Sequence, residues 1–247
     1  MTENKAYQGV HQVTSNQTDI HEKLQEIVSK YAATSFLRPV ANHTQKAFEK
    51  IKEVVRQRGA PLVLDSGCGI GESTIHLAKK FPQCSVIGID KSELRLSKEK
   101  PLKKGEDIPP NAFWIRAELL DFWKLALEEV KNGNWNIKYH ALYYPNPWPK
   151  QSEAGRRFHL HPIFPTLMKL SPVTELRTNW EIYAKEFAKA AQVLLASKVS
   201  IECSKLSEGL KPITAFERKY QAVGQSLYQV VVTEQTWLLV PPTSSMF

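Results

Sequence analysis

The sequence predicts an α/β fold, in which a mainly parallel, seven-stranded sheet carries helices on both faces. Two observations indicate this fold. Short apolar runs alternate with segments of helical periodicity along most of the chain. The run at residues 62–65 also leads through a glycine turn into a helix and then into a second strand, as parallel sheets require.

Residues 1–20 are polar and predict a disordered or mobile arm, whereas residues 21–247 predict a single domain. Apolar residues on one face indicate a helix near 44–58, and a similar pattern begins at residue 21. The catalytic core is expected over residues 60–235. The strands are expected near 62–66, 85–90, 112–116, 137–144, 172–178, 198–203 and 227–234, and the helices near 21–31, 44–58, 72–81 and 119–131.

Glycines dominate the turn after the first strand. Gly67, Gly69 and Gly71 let the backbone bend sharply and approach a ligand closely. Their G-x-G-x-G spacing suits a nucleoside better than the G-x-G-x-x-G of a dinucleotide loop. The next strand ends on Asp90, a carboxylate placed to accept hydrogen bonds from two ribose hydroxyls. Strand, glycine turn, helix, strand and terminal acid together predict a site for a nucleoside cofactor.

A second motif, Pro145-Asn146-Pro147-Trp148-Pro149, follows the fourth predicted strand. Prolines fix φ and cannot donate to a sheet, so this strand must end in a rigid, extended loop. The loop holds Asn146 and Trp148 just beyond a strand's carboxyl end, where open α/β sheets bind ligands. Packing of Trp148 beside the loop is an equally good interpretation of that residue.

These motifs resemble known families. The segment from Asp65 to Gly71, with Asp90, resembles the S-adenosylmethionine site of Rossmann-like class I methyltransferases. Residues 145–150 resemble the P-D-P-W-P-K signature of the bacterial tRNA (guanine-N7-)-methyltransferases. Residues 176–183 and 214–220 resemble that family's T-D-W/N-x-x-x-Y and T-x-[FY]-E segments, so that the resemblance covers roughly residues 60 to 235.

The resemblance implies a Rossmann-like methyltransferase with S-adenosyl-L-methionine as cofactor and tRNA as partner. Guanine N7 has a lone pair and no proton, so attack on a sulfonium methyl needs alignment and no general base. The expected catalytic positions are Asn146, Asn179, Thr214 and Glu217. The expected cofactor positions are Asp65, Gly67, Gly69, Gly71, Asp90 and Glu118. The expected substrate and RNA positions are Tyr144, Trp148, Lys150, Arg156 and Arg157, and His159 and His161 are possible additions to them.

Several of these positions have a second interpretation. Thr214 and Glu217 have the spacing of a helix capping box, Asn179 could cap a helix, and Glu118 could be a first-turn acid. The family's aspartates are replaced here by Asn146 and Asn179. Asn146-Pro147-Trp148 also resembles a shortened N-P-P-[YFW] loop of amino-methyltransferases. Transfer to an amino group therefore stays open as an alternative, as does a binding module without activity.

Composition limits the remaining classes. The net charge of +8 and the pI of about 9.3 favour a polyanionic partner. No window has the apolar length of a membrane span, and the three cysteines show no metal-ligand spacing. The polar N-terminus has no apolar signal-peptide core. A cytoplasmic enzyme without a metal is expected, either monomeric or homodimeric.

Overall fold

The structure is a computed structural model that describes residues 12–102 and 105–235. The helices are α1 (Leu24–Ala32), α2 (Asn42–Arg58), α3 (Glu72–Lys80), α4 (Glu93–Leu96), α5 (Leu119–Lys131), α6 (Phe164–Leu167), α7 (Glu181–Leu195) and α8 (Ala215–Ala222). The strands are β1 (Leu62–Ser66), β2 (Ser85–Asp90), β3 (Ala112–Arg116), β4 (Ile137–Tyr143), β5 (Val173–Thr178), β6 (Val199–Lys205) and β7 (Tyr228–Glu234). Short 3-10 turns cover Gln151–Arg156, Phe158–Leu160 and Ala196–Lys198.

All seven strands form one sheet in the order β3-β2-β1-β4-β5-β7-β6. Only β7 runs antiparallel to its neighbours, β5 and β6. The strand order reverses between β1 and β4, which are hydrogen-bonded neighbours. Ligands of open α/β sheets bind at such a switch point, beyond the carboxyl ends of the strands. The predicted fold is confirmed, and it brings the loops after β1 and β4 side by side.

Alternate residues of β1 enter cores on opposite faces of the sheet. Leu62 and Leu64 join the larger core with helices α1, α2, α5 and α7, whereas Val63 joins the smaller core with α3. All three side chains are fully buried, as expected for a strand covered on both faces.

Asp121 and Thr44 attach the N-terminal helices to the core. The Asp121 carboxylate accepts hydrogen bonds from Arg38 and from the Ala41 backbone, and the Thr44 hydroxyl accepts one from the Glu118 backbone. Asp121 and Thr44 are both buried. The start of α2 is thereby held beside the carboxyl edge of β3.

Residues 12–20 contact the body of the protein. Val13 packs against the larger core, and Gln17 donates a hydrogen bond to Glu186 of α7 at 2.6 Å. The mobility of the N-terminal arm stays a prediction. Residues 1–11 lie outside the described residues.

No described helix is both long and apolar enough to cross a lipid bilayer.

Candidate active site

The glycine turn after β1 is fastened to β2 by its own backbone. The amides of Gly67 and Cys68 donate to the Ile89 carbonyl at 2.8 and 3.0 Å, and the Gly69 amide donates to Asp90 Oδ2 at 3.0 Å. A Cβ added to Gly67 or Gly69 would meet no atom within 4 Å. Both glycines therefore border open space, as a nucleoside cofactor requires.

Gly71 has a crowded position as well as the backbone conformation of a sharp bend. A Cβ at this position would overlap the indole of Trp114, and a Cβ at Gly88 of β2 would meet both Trp114 and Thr74. Gly71 also has a φ of 91°, which L side chains rarely adopt. Gly71 therefore gives room to a packed side chain of β3, whereas Gly67 and Gly69 border open space.

Asp65 lies beneath the glycine turn, almost completely buried. Its Oδ2 accepts hydrogen bonds from the hydroxyls of Ser73 and Thr74 at 2.7 and 2.6 Å. Burial raises the pKa of Asp65 to about 6, although these hydroxyls act in the opposite direction. In this geometry Asp65 anchors the first turn of α3.

Asp90 ends β2 where the sequence predicts the ribose acceptor. Its carboxylate accepts from the amides of Gly69 and Ser92 at 3.0 and 2.8 Å and pairs with Arg95 at 3.1 Å. A carboxylate offers about four acceptor positions, so one remains. The Arg95 side chain is 42% exposed, whereas the Asp90 side chain is 3% exposed. A ribose hydroxyl would bind at the remaining acceptor position or displace Arg95.

Glu118 precedes α5 at the same edge of the sheet. Its backbone occupies the cap position of the helix, and its half-buried carboxylate forms no hydrogen bond or ion pair with any described residue. Asp90 and Glu118 place two acids at the same edge of the sheet as Gly67 and Gly69, which border open space. The residues present thus fit the expected cofactor.

The loop after β4, residues 144–150, is here called the Pro-Trp-Pro loop. Tyr144 and Trp148 have φ angles of 52° and 45°, which cost non-glycine residues about 1–3 kcal/mol each. The Trp148 amide donates to Asn146 Oδ1 at 3.3 Å, so Asn146 closes a local turn while remaining exposed. The guanidinium of Arg156 lies 4.5 Å from the centroid of the Trp148 ring. The loop therefore presents an amide and an aromatic ring beside the β1 turn.

Two members of the predicted phosphate patch are buried, which corrects that prediction. Arg157 is fully buried, where it donates twice to the Trp148 carbonyl, at 3.2 and 3.0 Å, and pairs with Glu186 at 2.8 Å. His159 is also fully buried, and burial lowers its pKa. Neither side chain can reach a phosphate. Lys150 and Arg156 stay exposed, although Arg156 pairs with Glu153 at 3.2 Å.

The remaining histidine of the patch, His161, is half-buried. Its Nδ1 accepts from the Ile163 amide at 3.1 Å, and its ring meets Phe36 edge-on. Burial lowers the pKa of His161 as well. A neutral ring that packs in this way adds no positive charge near neutral pH.

Glu217 and Thr214 form a helix cap. The Thr214 hydroxyl accepts from the Glu217 amide at 2.9 Å, and the Glu217 carboxylate accepts from the Ile213 amide at 2.5 Å. Glu217 is fully buried and also accepts from Tyr144 Oη at 3.0 Å and Arg177 Nη1 at 2.8 Å. The capping interpretation is confirmed. In this structure Glu217 supports the first residue of the Pro-Trp-Pro loop.

Asn179 does not cap a helix. The cap position of α7 is Trp180, and the Asn179 amide donates to Gln225 Oε1 at 3.0 Å. Asn179 lies just beyond β5, next to β4 in the sheet, and so belongs to the same edge as the Pro-Trp-Pro loop.

Sequence reasoning missed the buried ions that support this loop. Arg177 and Glu175 of β5 form an ion pair at 2.7 Å, and Glu186 lies fully buried on the inner face of α7. A charged residue at a buried helical position is a recognisable signal, because such charges need partners. Glu186 occupies such a position in α7.

Comparisons with known proteins agree with this geometry. The family model Methyltransf_4, described as "Putative methyltransferase", matches residues 59–230. A protein from Cupriavidus pinatubonensis called tRNA (guanine-N(7)-)-methyltransferase is 28% identical over 190 residues, which span 70% of this chain and 68% of that protein. One of the same name from Cupriavidus necator is 27% identical, over 70% of this chain and 66% of that protein. The chain thus spans about two thirds of these relatives' length.

A solved structure described as an antibiotic related methyltransferase superposes with a TM-score of 0.51. It is 17% identical, and the match covers 82% of this chain and 97% of that one. This similarity concerns the fold.

Proposed function

The chain belongs to the Methyltransf_4 family of methyltransferases, and from this premise we propose that it transfers the methyl group of S-adenosyl-L-methionine to N7 of a guanosine in tRNA. One observation carries the proposal. Ser66 pairs with Leu142 in the sheet, so the glycine turn and the Pro-Trp-Pro loop leave adjacent strands at the same edge. A donor held by the first loop and an acceptor held by the second would meet there. The similarity to enzymes named for this reaction supports the choice of acceptor.

On the donor side, Gly67 and Gly69 leave room for the cofactor, Asp90 accepts from its ribose, and Glu118 accepts from its adenine amino group. The bound cofactor supplies an electrophilic sulfonium methyl. Gly71 lets the turn pack against Trp114. Asp65 holds the start of α3 through the hydroxyls of Ser73 and Thr74.

On the acceptor side, N7 loses no proton when it is methylated, and the chain needs only to align the base and exclude water. Asn146 presents an exposed amide in the Pro-Trp-Pro loop, and Trp148 presents a partly exposed ring. We assign Asn146 to an edge of the base, which its amide can bind as donor or acceptor. Trp148, backed by Arg156, supplies a stacking face.

The RNA contacts extend from the loop along α8. The Phe216 side chain is 49% exposed and stacks on Tyr220 at 6.2 Å, and Tyr220 in turn lies 5.6 Å from Tyr144. Exposed aromatic rings beside a basic site are suited to unpaired bases, because every base offers a stacking face. With Lys150 and Arg156 nearby, this row supports RNA as the partner.

The test is incubation of unmodified tRNA with the protein and a donor labelled in its methyl group, followed by mass spectrometry of the nucleosides. We expect labelled 7-methylguanosine. Label in an amino-methylated nucleoside would instead support the alternative drawn from Asn146-Pro147-Trp148. Cofactor binding without any transfer would indicate a binding module.

A further inference from the structure

We propose that Gln17, Arg157 and Glu186 are positioning residues that fix the Pro-Trp-Pro loop, and that the N-terminal segment from Ser15 to His21 is thereby part of the active site's support. This inference rests on the proposed function only in that the loop aligns the methyl acceptor. The sequence predicted Arg157 to contact RNA, and it gave no role to Gln17 or Glu186.

Arg157 acts directly on the loop backbone. Its Nε and Nη2 both donate to the Trp148 carbonyl, at 3.2 and 3.0 Å, and its guanidinium lies 4.7 Å from the centroid of the Trp180 ring. Trp148 has the left-handed φ of 45° that needs outside support. The guanidinium is fully buried, and two of its nitrogens donate to the same carbonyl, so it has little conformational freedom. It therefore fixes the peptide group of Trp148.

Glu186 holds the arginine in place. Its Oε2 accepts from Arg157 Nη1 and from His159 Nε2, each at 2.8 Å. Burial alone would raise the pKa of Glu186, but the hydrogen bond from His159 and the charge on Arg157 lower it to about 2. Glu186 is therefore ionised at neutral pH.

The N-terminal segment completes this cluster. Glu186 Oε1 accepts from Gln17 Nε2 at 2.6 Å and from the His21 amide at 2.8 Å, so both carboxylate oxygens are fully used. Gln17 Oε1 accepts from Arg157 Nη1 at 3.0 Å. Without Gln17, one oxygen of a buried carboxylate and one donor of a buried arginine would each lose a partner.

The same segment also contacts the loop itself. The Ser15 hydroxyl donates to the Pro149 carbonyl at 2.7 Å and accepts from the Gln17 amide at 3.0 Å. Two consecutive carbonyls of the loop, those of Trp148 and Pro149, are therefore held by residues outside it. This geometry restrains the loop two and three residues after Asn146.

The test is the double variant Ser15→Ala/Gln17→Ala, with Glu22→Ala as the control. Ser15 and Gln17 lie in a surface segment, so the core should still fold, and Glu22 is the exposed residue that directly follows this segment. We expect kcat for tRNA methylation to fall about tenfold in the double variant, with the cofactor Kd unchanged, because the four hydrogen bonds that the Ser15 and Gln17 side chains make in the loop support are lost. Glu22→Ala should behave as the wild type does.

Hydrogen exchange of the Pro-Trp-Pro loop gives a second readout that needs no activity. The loop amides should exchange about tenfold faster in the double variant, while those of β1 and β4 stay protected. The two proposals can fail separately. If the double variant exchanges faster and the wild-type protein methylates no tRNA, the loop support is upheld and the proposed function is refuted. Unchanged loop exchange would overturn this inference even if the enzyme is active.

Arg157→Lys separates positioning from charge balance. A lysine keeps a positive charge beside Glu186 but cannot direct two hydrogen bonds to one carbonyl while pairing with the carboxylate. We expect a folded variant with lowered kcat and faster exchange in the loop. A variant that loses thermal stability but keeps the wild-type kcat and loop exchange would show that the cluster serves folding alone.

Discussion

Asp90 is the residue on which the cofactor half of the site depends. It already binds the Gly69 and Ser92 amides, and only its contact with Arg95 is an exchangeable side-chain pair. The acid therefore shapes the glycine turn, and in the proposed function its remaining acceptor position binds the ribose. Two variants can separate these uses.

Asp90→Asn should weaken S-adenosylmethionine binding by tenfold or more in calorimetry, because charge-assisted hydrogen bonds contribute about 1.5–3 kcal/mol. Arg95→Ala is the matched control, since it frees the carboxylate without removing it, and its affinity should equal or exceed that of the wild type. Equal affinity of Asp90→Asn and wild type would refute the ribose assignment.

Asn146→Asp tests the acceptor side at a single position. The carboxylate keeps an oxygen for the Trp148 amide and adds a second acceptor for the N1–H and N2–H₂ groups of guanine. Methylation of guanosine in tRNA should be preserved or raised, whereas Asn146→Ala should lower kcat and leave cofactor affinity nearly intact. A loss of activity in Asn146→Asp, with the native acceptor found to be an amine, would favour the amino-methyltransferase alternative.

At the scale of elements, the sequence predicted the framework well. Strands β1, β2 and β3 have the bounds that the sequence predicts. Local composition determines this much, because buried parallel strands are nearly continuous apolar runs.

The supports of the site could not be predicted in the same way. Arg157 follows Arg156 in the chain, yet one is buried and the other exposed. That difference depends on Glu186 and Gln17, which lie far away in sequence, and only the tertiary structure brings them together. The role of Gly71 likewise depends on Trp114 of another strand.

The buried Asp65 that holds α3 makes the free energy of unfolding depend on pH. The folded-state pKa of Asp65 is about 6 and its ordinary value is 3.8, so the folded chain binds this proton more tightly than the unfolded chain does. The resulting stability is fully present below pH 3.8 and is lost as the pH rises through about 6, with a total of about 3 kcal/mol.

Asp65→Asn removes this titration and keeps an oxygen for the two hydroxyls. In urea unfolding, its stability relative to the wild type should therefore rise between pH 4 and pH 8. Parallel profiles for the two proteins would contradict the buried, proton-binding Asp65.

At the scale of the whole molecule, the proposed function requires part of the net charge of +8 to face RNA. Lys150 and Arg156 are exposed beside the candidate site, and the buried Arg157 and His159 are not available. The expected number of phosphate contacts from this patch is therefore two.

Lys150→Ala/Arg156→Ala should reduce the slope of log affinity against log salt by about one to two, and weaken binding to all tRNAs alike. The control, Lys131→Ala/Lys198→Ala, removes the same charge at the opposite edge of the sheet, where α5 ends and β6 begins. Equal slopes for the two double variants would show that the attraction is nonspecific.

Nucleoside analysis of tRNA from a strain that lacks the gene is the most direct test of methyl transfer to guanine N7. The tRNA should lose 7-methylguanosine at one or more positions, and the wild-type gene should restore it whereas Asp90→Asn should not. An unchanged 7-methylguanosine content, with another methylated nucleoside missing instead, would contradict the claim.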